Sequence, residues 1–261
     1  MPAHDSEPAA KRPGAARRGA VLLLLAIALA LILAQAVSQG RPAALPEAAG
    51  AQLPCVSYAP FRRTGDTPFD PNLRIAPQAI EADLRLLKTV TGCVRTYSAA
   101  EFPELPALAQ QFGLRLSLGV WLDHRLANNE REIAAATQAA REQRSVERVI
   151  AGNETQLHGK LAPAALYAYL DRLRAGLAVP VSTAEPWHIW LRQPELAEHV
   201  DFITVHLLPY WEGVPVEAAV EETLRRYAQV QRHFPGKRIV IGEIGWPSGG
   251  AAVGVARPTP A

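Results

Sequence analysis

Val149-Ile150-Ala151-Gly152-Asn153-Glu154 is an apolar run that ends on a polar pair, and Ile239-Val240-Ile241-Gly242-Glu243 repeats the pattern further along the chain. Runs this apolar have no solvated face. They read as strands of a parallel sheet covered by helices. Outward from these two, further runs rich in Val, Ile and Leu give Cys55–Pro60, Cys93–Ser98, Leu114–Trp121, Glu147–Glu154, Val179–Ala184, Asp201–Leu207 and Arg238–Glu243 as the strand set. Their starts are 38, 21, 33, 32, 22 and 37 residues apart, the spacing of repeated βα units. Between them lie stretches with helical period: Ile80–Val90, Ala164–Leu177 and Glu217–Phe234. Gly113, Gly176 and Gly236 follow helical patterns, as C-terminal cap glycines do.

Repeated parallel units close into a barrel or wind into an open sheet. An open nucleotide-binding sheet predicts a glycine-rich phosphate turn after an early strand, and neither GxGxxG nor GxxxxGK[ST] occurs. Polar and aromatic residues instead follow nearly every strand, where (β/α)8 barrels build their sites. The expectation is an α/β fold, a (β/α)8 TIM barrel apparently truncated after the seventh strand. The run from Gly249 to Ala261 supplies no eighth strand.

Outside the barrel the organisation is simple. Residues 1–19 form a polar tail holding Lys11, Arg12, Arg17 and Arg18, residues 20–37 an apolar segment, residues 38–52 a linker, and residues 53–261 the barrel. The segment is the short end of a membrane span. Ala34-Gln35-Ala36 also fits a signal-peptide cleavage site. Two readings stay open, a transmembrane signal-anchor and a cleaved signal. Either puts the barrel on the periplasmic or extracellular side, because basic flanks stay in the cytoplasm. Of 27 basic and 25 acidic groups, four and two lie in residues 1–20, which leaves 23 of each. The barrel is neutral, and this excludes a basic stripe for nucleic acid. Cys55 and Cys93 begin neighbouring strands; a disulfide and a pair of buried thiols are both open. The seven histidines show no metal-ligand spacing, and no metal or cofactor is expected.

Glu154 and Glu243 end the fourth and seventh strands, which lie on opposite sides of a barrel mouth. Two facing carboxyls suit glycosidic cleavage: one protonates the leaving oxygen, the other attacks the anomeric carbon. Environment has to push the two protonation equilibria apart.

The two runs resemble the signatures of glycoside hydrolase family seventeen, whose members include β-1,3-glucanases and β-glucan transglycosylases on (β/α)8 barrels. Val56–Arg62, Val94–Ser98, Thr183–Trp187 and Val205–Glu212 resemble its first, second, fifth and sixth strands, the last in the form found in bacterial, membrane-associated members. The resemblance implies Glu154 as acid/base, Glu243 as nucleophile and Asn153 on the sugar 2-hydroxyl. It implies a retaining double displacement without cofactor, with carboxyls roughly 5–5.5 Å apart. Tyr210, Trp246 and Tyr97 are expected to line the sugar site, with Arg95, His206 and Glu185 around it. Asn128-Asn129-Glu130 reads as a helix cap or a substrate contact. The partner is a β-glucan; oligomeric state is not readable. Three functions stay open: hydrolase, transglycosylase, and a tethered glucan-binding domain without turnover.

Overall fold

The computed structural model describes residues 14–39, 52–63, 65–68, 70 and 72–259. Seven strands form one parallel sheet in sequence order: β1 (Val56–Ser57), β2 (Cys93–Arg95), β3 (Arg115–Val120), β4 (Val146–Asn153), β5 (Val181–Pro186), β6 (Ile203–Leu207) and β7 (Ile239–Ile244). Helices α2 (Pro77–Leu87), α3 (Leu105–Gln111), α4 (Leu126–Glu142), α5 (Pro163–Gly176), α6 (Trp187–Arg192) and α7 (Val216–His233) connect them. This is the (β/α)8-type arrangement, with seven strands among the described residues. The chain divides into two compact units. The larger, residues 46–246 with 253–256, holds the sheet; the smaller includes α1 (Gly14–Gln39).

The helices form because their apolar residues recur at turn spacing. Leu166, Leu170 and Leu173 of α5 are buried, as are Ile80 and Leu84 of α2. Both helices start on a proline at the first position, where no amide bond is lost. Strands β2 to β6 bury most of both faces, whereas no residue of β7 is fully buried. Every residue of β5 and β6 is buried, and their polar side chains bond inside the barrel: Ser182 Oγ donates to Phe202 O at 2.6 Å and Thr204 Oγ1 to Ser182 Oγ at 3.0 Å.

Three local expectations are corrected, and one open choice is resolved. Asn128-Asn129-Glu130 does not cap a helix, because α4 already begins at Leu126. Asn129 is buried and ties its amide to Asp123, accepting from its N–H and donating to its carbonyl. Gly176 ends α5 inside the helix, whereas Gly113 and Gly236 do take the left-handed conformation of a C-terminal cap. Helices α3, α4 and α6 lie outside the expected helical stretches. The cysteines are joined: Cys55 and Cys93 form a disulfide beside the β1–β2 pairing.

Among the described residues no helix is long and apolar enough to cross a membrane. Side chains of α1 are described for residues 19–34, shorter than the 20–37 segment, and all sixteen are exposed.

Candidate active site

Two strand ends are distorted where the acidic residues sit. The β4–β5 register shifts between Ile150 and Asn153, and the β6–β7 register between Val205 and His206. Irregularities of this kind re-aim side chains beside active sites. Two glycines permit it. Gly152 has φ 89°, and a Cβ there would lie 2.8 Å from Thr155 Oγ1 and 2.9 Å from Thr183 Oγ1. A Cβ on Gly242 would meet Thr204 Cγ2 at 2.6 Å and the His206 ring at 3.0 Å. Glu154 itself is the only described non-glycine residue with positive φ, 51°. Its amide donates to Ala184 O at 2.8 Å, which fixes that strained turn.

The two glutamates face each other across one imidazole. His206, on β6 and fully buried, places Nδ1 2.9 Å from Glu154 Oε1 and Nε2 3.6 Å from Glu243 Oε1. His158, one helical turn beyond Glu154, places Nε2 3.1 Å from the other oxygen of that carboxyl. These imidazoles, His206 first, hold the Glu154 carboxyl below its usual range against the opposing effect of burial.

Glu243 has different partners. Arg95 Nη1 donates to its Oε1 at 2.8 Å and Tyr97 OH at 3.0 Å. The other arm of Arg95 donates to Asn153 Oδ1 at 2.7 Å. A guanidinium has only donors, so Asn153 presents its oxygen to Arg95 and leaves its NH₂ as a donor. Arg95 is buried, with its guanidinium 4.7 Å from the Tyr97 ring centroid. One side chain thus joins the ends of β2, β4 and β7.

Other expected residues sit in supporting places. Glu185 is fully buried and spends both oxygens on backbone amides, Gln156 N at 2.7 Å and Leu157 N at 3.2 Å. It therefore builds the loop that follows Glu154 and does not reach the cleft. Burial pushes its carboxyl up to about 7, outweighing those amide bonds. Tyr210 is buried as well, edge-on to Trp246 at 5.4 Å and to Trp211 at 5.2 Å. It supports two neighbouring rings and offers no open face to a sugar. Trp246 is half-buried and Trp211 is 68% exposed.

A cavity of about 310 Å³ opens at the ends of β1, β2 and β3. Tyr58, Phe61, Tyr97, Phe102, Trp121 and Glu101 are in its wall, so it adjoins the Tyr97–Glu243 contact. Asn128 also lines it. Burial, with Glu132 nearby, raises the Glu101 carboxyl to about 7. Sequence reasoning passed over His158, weighed only as a metal ligand. The usable signal was its spacing: four residues after Glu154 is one helical turn. Glu101 and the cavity gave no local signal, because three separate loops assemble them.

A parallel barrel that turns two glutamates toward each other from its fourth and seventh strands has the architecture of a glycoside hydrolase. A family model described as the BtgE/BtgC glycoside hydrolase domain matches residues 55–261. The chain belongs to that family.

The glucan 1,3-beta-glucosidase of Schizosaccharomyces pombe is 28% identical over 199 residues, 68% of this chain and 62% of its own. The probable beta-glucosidase btgE of Aspergillus terreus is 22% identical over 232 residues, 85% of this chain and 40% of its own. The chain therefore spans less than two thirds of these relatives, which are fungal. Among solved structures, an active-site mutant of the Rhizomucor miehei beta-1,3-glucanosyltransferase, in complex with laminaritriose, superposes with a TM-score of 0.69 at 26% identity, covering 80% of this chain and 78% of that one.

Proposed function

We propose that this chain is a retaining β-1,3-glucan hydrolase that works by double displacement, with Glu154 as acid/base and Glu243 as nucleophile. The observation that carries the assignment is the asymmetry of their partners. Glu243 Oε1 accepts from a guanidinium, which has only donors, and from a phenol. Among the described side chains the Glu154 carboxyl hydrogen-bonds only to imidazoles, which can donate to a carboxylate or accept from a carboxylic acid. The first environment suits a nucleophile. The second suits a group that must give a proton and take one back.

In the first half-reaction Glu243 bonds to the anomeric carbon as the glycosidic bond breaks, and the leaving oxygen takes the Glu154 proton. In the second, water attacks the same carbon, its proton returns to Glu154, and the bond to Glu243 breaks. The Asn153 NH₂ lies beside this centre as a donor for a sugar hydroxyl. The aromatic cavity beside Tyr97 supplies flat faces for a further glucosyl unit on the donor side.

Transglycosylation uses the same residues with a sugar in place of water, and the Rhizomucor miehei glucanosyltransferase likeness favours keeping it as the second reading. Incubation with a β-1,3-linked glucooligosaccharide separates the two. Only shorter products mean hydrolysis; longer ones mean transfer. Glu154→Gln and Glu243→Gln should each abolish turnover while sugar binding persists. Full activity in either variant would sink the assignment, and binding without turnover in the unaltered chain would mean a glucan-binding domain. The residue 20–37 segment is proposed as the membrane tether of an enzyme facing the periplasm or the exterior.

A further inference from the structure

Resting on the roles proposed for Glu154 and Glu243, we propose that His206 is a positioning residue that couples the two carboxyls, keeping Glu154 hydrogen-bonded in both of its protonation states while sensing whether Glu243 is free or glycosylated. Three observations carry it. His206 is completely buried, so its ring is held by the barrel and not by solvent. Its Nδ1 is within hydrogen-bond distance of Glu154. Its Nε2 is buried without a hydrogen-bond partner, and Glu243 Oε1 lies 3.6 Å away. A buried polar nitrogen left without a partner costs free energy unless the site uses it.

The groups around this line are few. Glu154 is faced by His206 from β6, by His158 from its own loop, and more distantly by Lys160, His188 and Glu185. Glu243 is faced by Arg95 and Tyr97 from β2 and its following turn, and by His206. His206 is therefore the one described side chain with a nitrogen within 4 Å of each carboxyl.

The chemistry needs such a link. As Glu243 becomes an ester it loses its charge, and Glu154 at the same moment loses its proton. With its own proton on Nδ1, the imidazole donates to Glu154 Oε1 whether or not the other carboxyl oxygen carries the acid proton, so His206 neither gains nor loses a proton in the cycle. No proton leaves the cycle, because water returns to Glu154 what the leaving group took.

The test compares substrates that do and do not need an acid. A β-1,3-linked oligosaccharide has a poor leaving group; a dinitrophenyl β-glucoside has a good one. In the full chain, His206→Gln should lower kcat/KM for the oligosaccharide by about 100-fold, the lower range for general acid catalysis, and for the aryl glucoside by less than about fivefold. His158→Ala, at a half-exposed side chain, should fold normally and move the alkaline limb of kcat/KM for the oligosaccharide to higher pH. It removes a hydrogen bond that favours the Glu154 carboxylate. Near-UV circular dichroism checks the fold of His206→Gln. Equal losses on both substrates in a folded variant, or no loss on either, would overturn the proposal. An unmoved limb in His158→Ala would count against the imidazole environment of Glu154. If Glu154→Gln is fully active, the parent reading fails instead, so the two failures are distinguishable.

Discussion

Arg95 holds Glu243 with one nitrogen and Asn153 with another, an arrangement that needs the planar fork of a guanidinium. A lysine there reaches one partner only. Arg95→Lys should lower kcat/KM by roughly 10²-fold, the scale of an ångström-level misplacement of a reacting group. A steady-state assay checks this, and an unchanged kcat/KM would show that the fork does not position the site. Glu185 gives a pH test. Its carboxyl, normally near 4.5, is raised by burial to about 7 in the folded chain. The folded state therefore binds more protons than the unfolded state between those values, so Glu185 erodes stability as pH rises from about 4.5 to 7. The full effect is of the order of 3 kcal/mol. Glu185→Gln loses one acceptor for the Gln156 and Leu157 amides and should be less stable at pH 5 by about 1–3 kcal/mol. That deficit should shrink toward pH 8, read from urea midpoints; a constant deficit would mean that Glu185 does not titrate in this window. At this scale the sequence reveals residue types at strand ends. It does not reveal which of them spend their hydrogen bonds on backbone. Glu154 and Glu185 both end strands, but only the three-dimensional placement of Gln156 and Leu157 separates cleft from scaffold.

The strands were legible because each is an apolar run with a polar terminus, a pattern that survives without knowledge of neighbours. All seven appear in the expected order, with β1 reduced to Val56–Ser57. The helices read less evenly. Helix α5 carries Leu166, Leu170 and Leu173 inward and is plain in the sequence. Helix α4 buries Asn129, Glu132, Ile133 and Ala136, so half its inner face is polar and its period is masked. Glu132 is buried there because Ser98 Oγ, Ala99 N and Trp121 N all donate to it, tying α4 to the ends of β2 and β3. The register shift before Glu243 depends on Gly242. Gly242→Ala would push its methyl into Thr204 and His206 and should cut activity more than stability, measured as kcat/KM against thermal midpoint. A fully active Gly242→Ala would show that the His206 ring can give way freely. The Cys55–Cys93 bond closes a 38-residue separation across β1 and β2. Its loss in Cys55→Ser/Cys93→Ser should cost about 2–4 kcal/mol in denaturant unfolding.

At the scale of the molecule, the proposed outward placement draws on the apolar segment and on the disulfide. The barrel is neutral, so nothing in its net charge draws it to a membrane. The apolar segment is different: Leu22, Leu24 and Leu31 of α1 are each 65–67% exposed, a surface costly to leave in water. In the tethered reading proposed above, the basic residues Arg17 and Arg18 before the segment would orient the chain beyond residue 37 outward. The Cys55–Cys93 disulfide fits that proposed placement, since the cytosol keeps thiols reduced. The two lines are independent, one resting on residues 17–37 and the other on Cys55 and Cys93. The full chain should therefore sediment with membranes and resist alkaline carbonate extraction, while a chain lacking residues 1–37 should stay in the soluble fraction. Protease added outside should degrade the barrel and spare the basic tail. A mature chain beginning near Val37 would replace the anchor with a cleaved signal and keep the topology. Protection of the barrel from external protease, or fully reduced cysteines in the isolated protein, would refute the outward placement itself.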